Sequence, residues 1–170
     1  MKSARSLLLG CRRWLVSRRS IRFARYRASD GYRQNRRDVR RIDGGPGLEF
    51  EVFWKKIPGV GRGPACSVLV AGEEVLRLDC FGPGDGHLHA DFLMLAPDGE
   101  DRLFFGEDTV PTQIERALFE IRRNLPYYTA RSLWSPARAF KADPVRLEAA
   151  LVEVRTTLLG FHSAGVAEPD

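Results

Sequence analysis

The chain has few of the residue types that most often mark a chemical site: only three cysteines and three histidines among 170 residues. An odd number of widely spaced cysteines predicts buried free thiols in a reducing compartment rather than a disulfide framework. No apolar run is long enough to cross a bilayer, and no Walker, Gly-x-Ser-x-Gly or zinc-finger spacing occurs. These absences predict a cytoplasmic protein with no cofactor and no transmembrane segment.

Acidic residues are absent from the first 29 positions, and the positive charge of the chain comes from its N-terminal part. The formal net charge is +5, but residues 1–41 hold 14 Lys/Arg against 2 Asp, and residues 42–170 hold 13 Lys/Arg against 20 Asp/Glu. We therefore expect residues 1–41 to form a basic, arginine-rich arm outside the fold. The arm is interpreted as a disordered tail, a transit-like amphipathic segment, a nucleic-acid-binding tail, or an extension created by a start assigned too far upstream.

Beyond the arm, residues 42–162 are predicted to be a single domain whose first half has the period-two pattern of strands. Leu48, Phe50, Val52 and Trp54 alternate with more polar positions. Asp98-Gly99 is a favoured hairpin dipeptide, because both residues tolerate positive φ. The pattern and the turn residues together predict about five strands, near residues 48–55, 65–71, 74–81, 87–95 and 102–105.

In the second half of the domain the apolar period changes to that of helices. One helix is predicted from about Val110 to Pro126 and a second from Pro144 to Gly160, with residues 163–170 fraying as a tail. Strands followed by helices, joined by short connections, indicate an α+β fold rather than alternating parallel units. We expect an antiparallel meander of about five strands with two helices packed on one face.

One group of polar residues is predicted to lie together on the sheet. Alternation along the third and fourth predicted strands puts their apolar side chains on the core face and their polar side chains on the opposite face. If the loop at 80–86 joins these strands as a hairpin, Asp79 lies close to His87. The polar patch then consists of Arg77, Asp79, His87, His89 and Asp91.

This patch has three chemical interpretations and one without chemistry. His87 and His89 could act as general acid and base on a phosphodiester, with Arg77 and Asp79 assisting. His87, His89 and Asp91 could instead hold a metal ion as two imidazoles and a carboxylate. The patch could also bind a polar or anionic partner, or be a solvated strand face whose ion pairs contribute little.

Several segments between residues 70 and 128 resemble a family of small bacterial proteins with no assigned activity. They are an Arg77-x-Asp79-Cys80 strand, a His87-x-His89 segment, Asp98-Gly99, and a helix that ends near Ile121-Arg-Arg-Asn124. The chain departs from that family at Leu78, where an aromatic residue is usual, and in its longer 82–86 loop. More distantly, the layout is similar to TumE-type toxins of bacterial toxin–antitoxin pairs, which implies a role directed at translation or RNA.

The leading functional expectation is a small bacterial domain, toxin–antitoxin-like or accessory, that acts by contact with RNA or a protein partner. The enzymatic alternative is an RNA-cleaving protein that uses His87 and His89, and the structural one is a protein-interaction module. The partner and the oligomeric state are not predicted.

Overall fold

The computed structural model describes residues 35–90, 101–132 and 135–166. Within these ranges the chain forms one antiparallel sheet of six strands in sequence order, followed by three helices, which confirms the predicted α+β meander with one strand more than expected. The strands are β1 (Arg36–Asp43), β2 (Leu48–Ile57), β3 (Gly61–Val70), β4 (Glu73–Asp79), β5 (His87–Ala90) and β6 (Asp101–Phe104). The helices are α1 (Val110–Arg131), α2 (Ser135–Arg138) and α3 (Pro144–Val166).

The extra strand corrects the predicted domain boundary at residue 42, because β1 already begins at Arg36 and pairs with β2 along its length. Its arginines were assigned to a solvated arm on charge alone. Arg36 is instead buried, its guanidinium lying 4.1 Å from the ring centre of Phe53 and 3.4 Å from the Glu51 carboxylate. Of the predicted arm at residues 1–41, residues 1–34 lie outside the described residues.

The strands are joined by turns whose sequences permit the required backbone. β3 and β4 are connected by Ala71 and Gly72, which adopt φ values of 50° and 78°. Two consecutive residues with positive φ give the primed turn that matches the twist of a two-residue hairpin. The resulting register places Cys66 opposite Leu78 and Val68 opposite Leu76, so their apolar side chains share one face.

The core lies between this apolar face and the helices. The apolar periods of the strands and helices predict ten residues that are buried together; nine of them are buried, and the tenth, Phe92, lies outside the described residues. The nine are Phe50, Val52, Leu76, Leu78, Ile114, Leu118, Ile121, Leu151 and Val154. Cys66 and Cys80 are buried among them as free thiols, and burial raises the pKa of both, which fits the prediction that they pack as small apolar groups.

Both long helices continue beyond their predicted ends. α1 includes Pro126 and ends at Arg131, so the prediction that this proline terminates the helix is wrong. α3 passes through Gly160 to Val166, and the predicted tail from residue 163 therefore begins within the helix. Packing explains the second difference: Phe161 is buried, and a Cβ atom at Gly165 would overlap the ring of Trp54. No helix in the described ranges is both apolar and long enough to span a bilayer.

A buried carboxylate on α1 gives the fold a pH-dependent contribution to stability. Glu120 accepts hydrogen bonds from Asn124, Tyr128 and Arg116. Burial alone would raise the pKa of Glu120, but these hydrogen bonds outweigh burial, and the pKa lies below its usual range. A carboxyl group with a lowered folded-state pKa stabilises the protein above its unfolded-state pKa and loses that effect as the pH falls.

We therefore expect Glu120→Gln to reduce the free energy of unfolding most at pH 7. The difference from the unaltered protein should narrow as the pH falls below about 4, where the carboxyl group of the unfolded chain is protonated. Urea denaturation between pH 7 and pH 3 measures this difference. Glu148→Gln is the control, because Glu148 pairs with Arg122 on the surface and an exposed pair contributes little. A Glu120→Gln effect that is constant with pH would contradict the prediction.

Candidate metal centre

The pairing of β4 with β5 brings four of the five predicted patch residues together. Arg77 lies opposite His89 and Asp79 lies opposite His87, as expected if the 80–86 loop closes a hairpin. Asp91, the carboxylate that was predicted to complete a metal site, lies outside the described residues. Asp79 takes its place beside the two imidazoles, so the described candidate ligands are Asp79, His87 and His89.

The patch is buried, which distinguishes it from a solvated strand face. The exposed fractions are 0% for Asp79, 1% for His89, 2% for His87 and 3% for Arg77. Phe53 is also fully buried, although it does not belong to the apolar core that packs beneath the helices. Ion pairs at such positions lose their hydration and interact more strongly than surface pairs do.

Four nitrogen-bearing side chains converge on one oxygen of Asp79. Its Oδ2 atom lies 2.6 Å from Lys55 Nζ, 3.1 Å from His89 Nε2, 3.4 Å from His87 Nε2 and 3.7 Å from Arg77 Nε. The other oxygen, Oδ1, is buried and has no hydrogen-bond partner within residues 35–90, 101–132 and 135–166. Asp79 is therefore the centre of the site, with four nitrogen atoms close to one of its oxygens.

Lys55 was not among the residues predicted for the site, and the register of the sheet explains its presence there. It lies on β2 in the same alternating phase as Glu51 and Phe53, two strands away from Asp79. The intervening β3 offers Gly63 opposite Lys55 and Ala65 opposite Asp79. These small residues let the long Lys55 side chain reach across β3 to the carboxylate.

The protonation preferences of the site follow from burial and from these contacts. Burial would raise the pKa of Asp79, but the hydrogen bond from His89 and the charges of Lys55 and Arg77 hold it well below its usual range. Burial also lowers the pKa of Lys55 and of His87, and the nearby Asp79 carboxylate only partly offsets that effect. The Asp79 carboxyl is therefore ionised, and the His87 imidazole favours its neutral form.

His87 is held in one tautomer by the backbone of the preceding loop. Its Nδ1 atom lies 2.6 Å from the carbonyl oxygen of Asp85, and because a carbonyl only accepts, Nδ1 must carry the proton. In the neutral ring Nε2 then presents a lone pair, directed toward His89 and Asp79. The rings of Phe81 and Phe104 contact His87 with centroid separations of 5.8 Å and 5.6 Å and restrict its rotation.

The three candidate ligand atoms form a small triangle. His87 Nε2 and His89 Nε2 are 3.0 Å apart, and they lie 3.4 Å and 3.1 Å from Asp79 Oδ2. An ion with bonds of about 2.0–2.1 Å separates its ligand atoms by roughly 3.3 Å in tetrahedral geometry and by roughly 2.9 Å in octahedral geometry. The three distances between candidate ligand atoms, 3.0, 3.1 and 3.4 Å, are close to these two values.

Further charged residues of the same sheet surround the triangle and are themselves paired. Arg77 donates to Glu74 at 3.3 Å, and Arg36 lies 3.6 Å from Glu74 and 3.4 Å from Glu51. All are buried. Buried charges of this kind are tolerated when each has a partner of opposite sign, so the surroundings of the site form a paired network.

Comparisons with known proteins add no relative to this description. No protein-family model, curated protein or solved structure matches the chain. The functional argument consequently depends on the geometry of the site itself.

Proposed function

We propose that this domain binds a divalent transition-metal ion through Asp79, His87 and His89. The observation that carries the proposal is the triangle of His87 Nε2, His89 Nε2 and Asp79 Oδ2, with edges of 3.0, 3.1 and 3.4 Å. Two imidazoles and one carboxylate are a donor set that suits zinc and ferrous iron. The ligands come from adjacent strands of one sheet, which fixes their backbones relative to each other.

Two features of the site fit a cation better than a purely structural cluster. The buried Asp79 Oδ1 atom has no hydrogen-bond partner among the described residues, and a cation held by both oxygens of the carboxylate would use its lone pairs. His87 already has the tautomer that a ligand needs, because its Nδ1–H group donates to the Asp85 carbonyl oxygen and the neutral ring then leaves Nε2 unprotonated. A metal-binding histidine usually donates a hydrogen bond from its other ring N–H group to a carboxylate, a backbone carbonyl or water.

Three protein ligands leave at least one coordination position of such an ion for water or a substrate atom. A metal ion in this setting supplies a Lewis acid, or a bound water that is more acidic than bulk water. The protein holds the ligands, keeps Asp79 ionised and limits the access of solvent. We therefore propose a metal-dependent role for the site and leave the reaction unassigned.

The predicted alternative, in which His87 and His89 act as separate acid and base on RNA, has less support from the geometry. Their Nε2 atoms are 3.0 Å apart, a hydrogen-bond distance that leaves no space for a phosphate between them. A general acid and base on a phosphodiester must each reach a different oxygen of it. The expectation of an RNA or protein partner, with a toxin–antitoxin-like role, stays a prediction.

The proposal is tested by metal titration of the full chain after removal of bound ions with EDTA. We expect one Co²⁺ or Zn²⁺ per chain, and visible absorption of the Co²⁺ form in the range typical of mixed nitrogen and oxygen ligation. His87→Ala, His89→Ala and Asp79→Ala should each weaken binding by about 100-fold or more, since even loss of a residue behind a ligand costs about 10–100-fold.

Two further variants separate ligation from general disruption of the site. His162→Ala removes the chain's third histidine, which is outside the site, and should leave the affinity unchanged. Lys55→Met removes a positive charge 2.6 Å from Asp79 Oδ2 and should strengthen metal binding, because the ion no longer competes with the ammonium group. Absence of stoichiometric binding, or equal weakening by Lys55→Met and Asp79→Ala, would contradict the proposal.

A further inference from the structure

A buried glutamine at the start of α1 is hydrogen-bonded to the loop that precedes the two histidines. Gln113 is fully buried, and its amide is used at both ends. Its Oε1 atom accepts from the Gly82 N–H group at 3.0 Å, and its Nε2 atom donates to the Gly82 carbonyl at 2.7 Å and to the Glu107 carbonyl at 2.9 Å. Gln113 therefore fixes both backbone groups of a glycine that adopts a φ of 94°.

The residue fixed by Gln113 is the start of a closed turn that ends at the site. The Gly82 carbonyl also accepts from the N–H groups of Asp85 and Gly86, at 3.2 and 3.1 Å. The carbonyl of Asp85, the residue thus held, is the acceptor for His87 Nδ1. The loop packs closely on the amide, since a Cβ atom at Gly86 would overlap the Gln113 side chain.

We infer that Gln113 is a positioning residue of the metal site, acting through the 82–86 turn on the tautomer and orientation of His87. The inference rests on the proposed metal-binding function. Gln113 does not contact the ligand atoms; it holds the Gly82 backbone, the turn places the Asp85 carbonyl, and that carbonyl keeps the proton on His87 Nδ1. The Nε2 lone pair then remains available to the ion.

The test uses Gln113→Met, which keeps a similar length and removes all three hydrogen bonds, in the full chain. We expect Co²⁺ affinity to fall by about tenfold, the lower end of the range for residues behind a ligand. In the EDTA-treated protein, ¹⁵N NMR of the imidazole nitrogens should show a larger fraction of His87 with its proton on Nε2. Gln113→Glu keeps the acceptor oxygen but removes both N–H donors, so it should also lower the Co²⁺ affinity and raise the fraction of His87 protonated on Nε2. This variant replaces Gln113→Met if the Met variant does not fold.

The control must lose a buried hydrogen bond without touching the loop. Thr129→Val does so, because Thr129 is buried on α1 and donates to the Pro126 carbonyl. It should lower stability yet leave the Co²⁺ affinity and the His87 tautomer unchanged. Unchanged affinity and tautomer in a folded Gln113 variant, or equal changes in Thr129→Val, would overturn the positioning role. Failure of the unaltered protein to bind Co²⁺ would refute the proposed function instead, and the tautomer measurement in metal-free protein would still test the link from Gln113 to His87.

Discussion

Asp79→Ala is expected to lower the free energy of unfolding of the metal-free protein by about 3–5 kcal/mol, the usual cost of removing one partner from a buried ion pair. Asp79 is fully buried, and its Oδ2 atom lies within 4 Å of Lys55, Arg77 and both histidines. Without the carboxylate, the ammonium group of Lys55 and the guanidinium of Arg77 face each other with less negative charge nearby. The loss should appear in urea denaturation at neutral pH with EDTA present.

A second substitution tests whether the loss comes from an uncompensated charge. In the double variant Lys55→Met with Asp79→Ala, the main partner of the missing carboxylate is removed as well. We expect the double variant to be more stable than the sum of the two single effects predicts, by about 1–3 kcal/mol, since residues in direct contact are non-additive. Additive effects would mean that the 2.6 Å contact contributes little.

An exposed carboxylate provides the control for Asp79→Ala. Asp143 caps α3 by accepting from the backbone N–H groups of Val145 and Arg146. Loss of such a cap costs about 0.5–2 kcal/mol. Asp143→Ala should therefore be clearly milder than Asp79→Ala, although both remove one acidic side chain. Equal losses would argue against the special cost of the buried position.

Truncation of the core should have effects of similar size. Leu78→Ala and Ile121→Ala are each expected to cost about 2–5 kcal/mol, because both side chains are fully buried and the space they vacate is only partly refilled. Leu78 lies on β4 and Ile121 on α1, so the pair tests the sheet and the helix sides of one core. The measurement is again urea denaturation, with Val152→Ala as an exposed control on α3. Losses well below 1 kcal/mol at both core positions would contradict the assignment of faces.

The pairing of β4 with β5 could be predicted from sequence because strand alternation is strict. Leu76 and Leu78 must face the core, so Arg77 and Asp79 must face the other way, and the same reasoning fixes His87 and His89. A one-residue slip would turn every apolar side chain of the hairpin away from the core beneath the helices. The juxtaposition of these four residues is therefore a local consequence of the apolar pattern.

The alternation of apolar and polar residues does not predict that the polar face is buried. Alternation distinguishes two faces, but it does not say whether the polar one meets solvent, and charged residues usually do. The inclusion of Lys55 depends on the β2–β3 register and on the small residues between it and Asp79, which are tertiary features. The sequence also does not predict β1, because its first residue, Arg36, is buried in ion pairs with Glu51 and Glu74, and amino-acid composition does not identify such partners.

The predicted ends of the two long helices are too early because they rest on single proline and glycine residues, and packing beyond these residues continues each helix. Pro126 lacks one N–H group, yet α1 continues past it, with Tyr128 and Thr129 buried beyond the proline. Gly160 is compatible with a helix end, but Leu158 and Phe161 are buried on either side of it. Tertiary contacts outweighed the intrinsic preferences of single residues at both positions.

The irregularity in β1 bears on how this protein behaves at high concentration. Among the described strands β1 forms one edge of the sheet, and its register with β2 shifts between Arg37 and Arg40, where Asp38 adopts a φ of 55°. An edge strand that is flat and uncharged recruits the edges of other molecules, which is the first step of aggregation. A bulge and exposed arginines make β1 a poor template for such intermolecular pairing. The positive φ at Asp38 therefore disfavours extension of the sheet at this edge, an effect separate from the candidate metal centre.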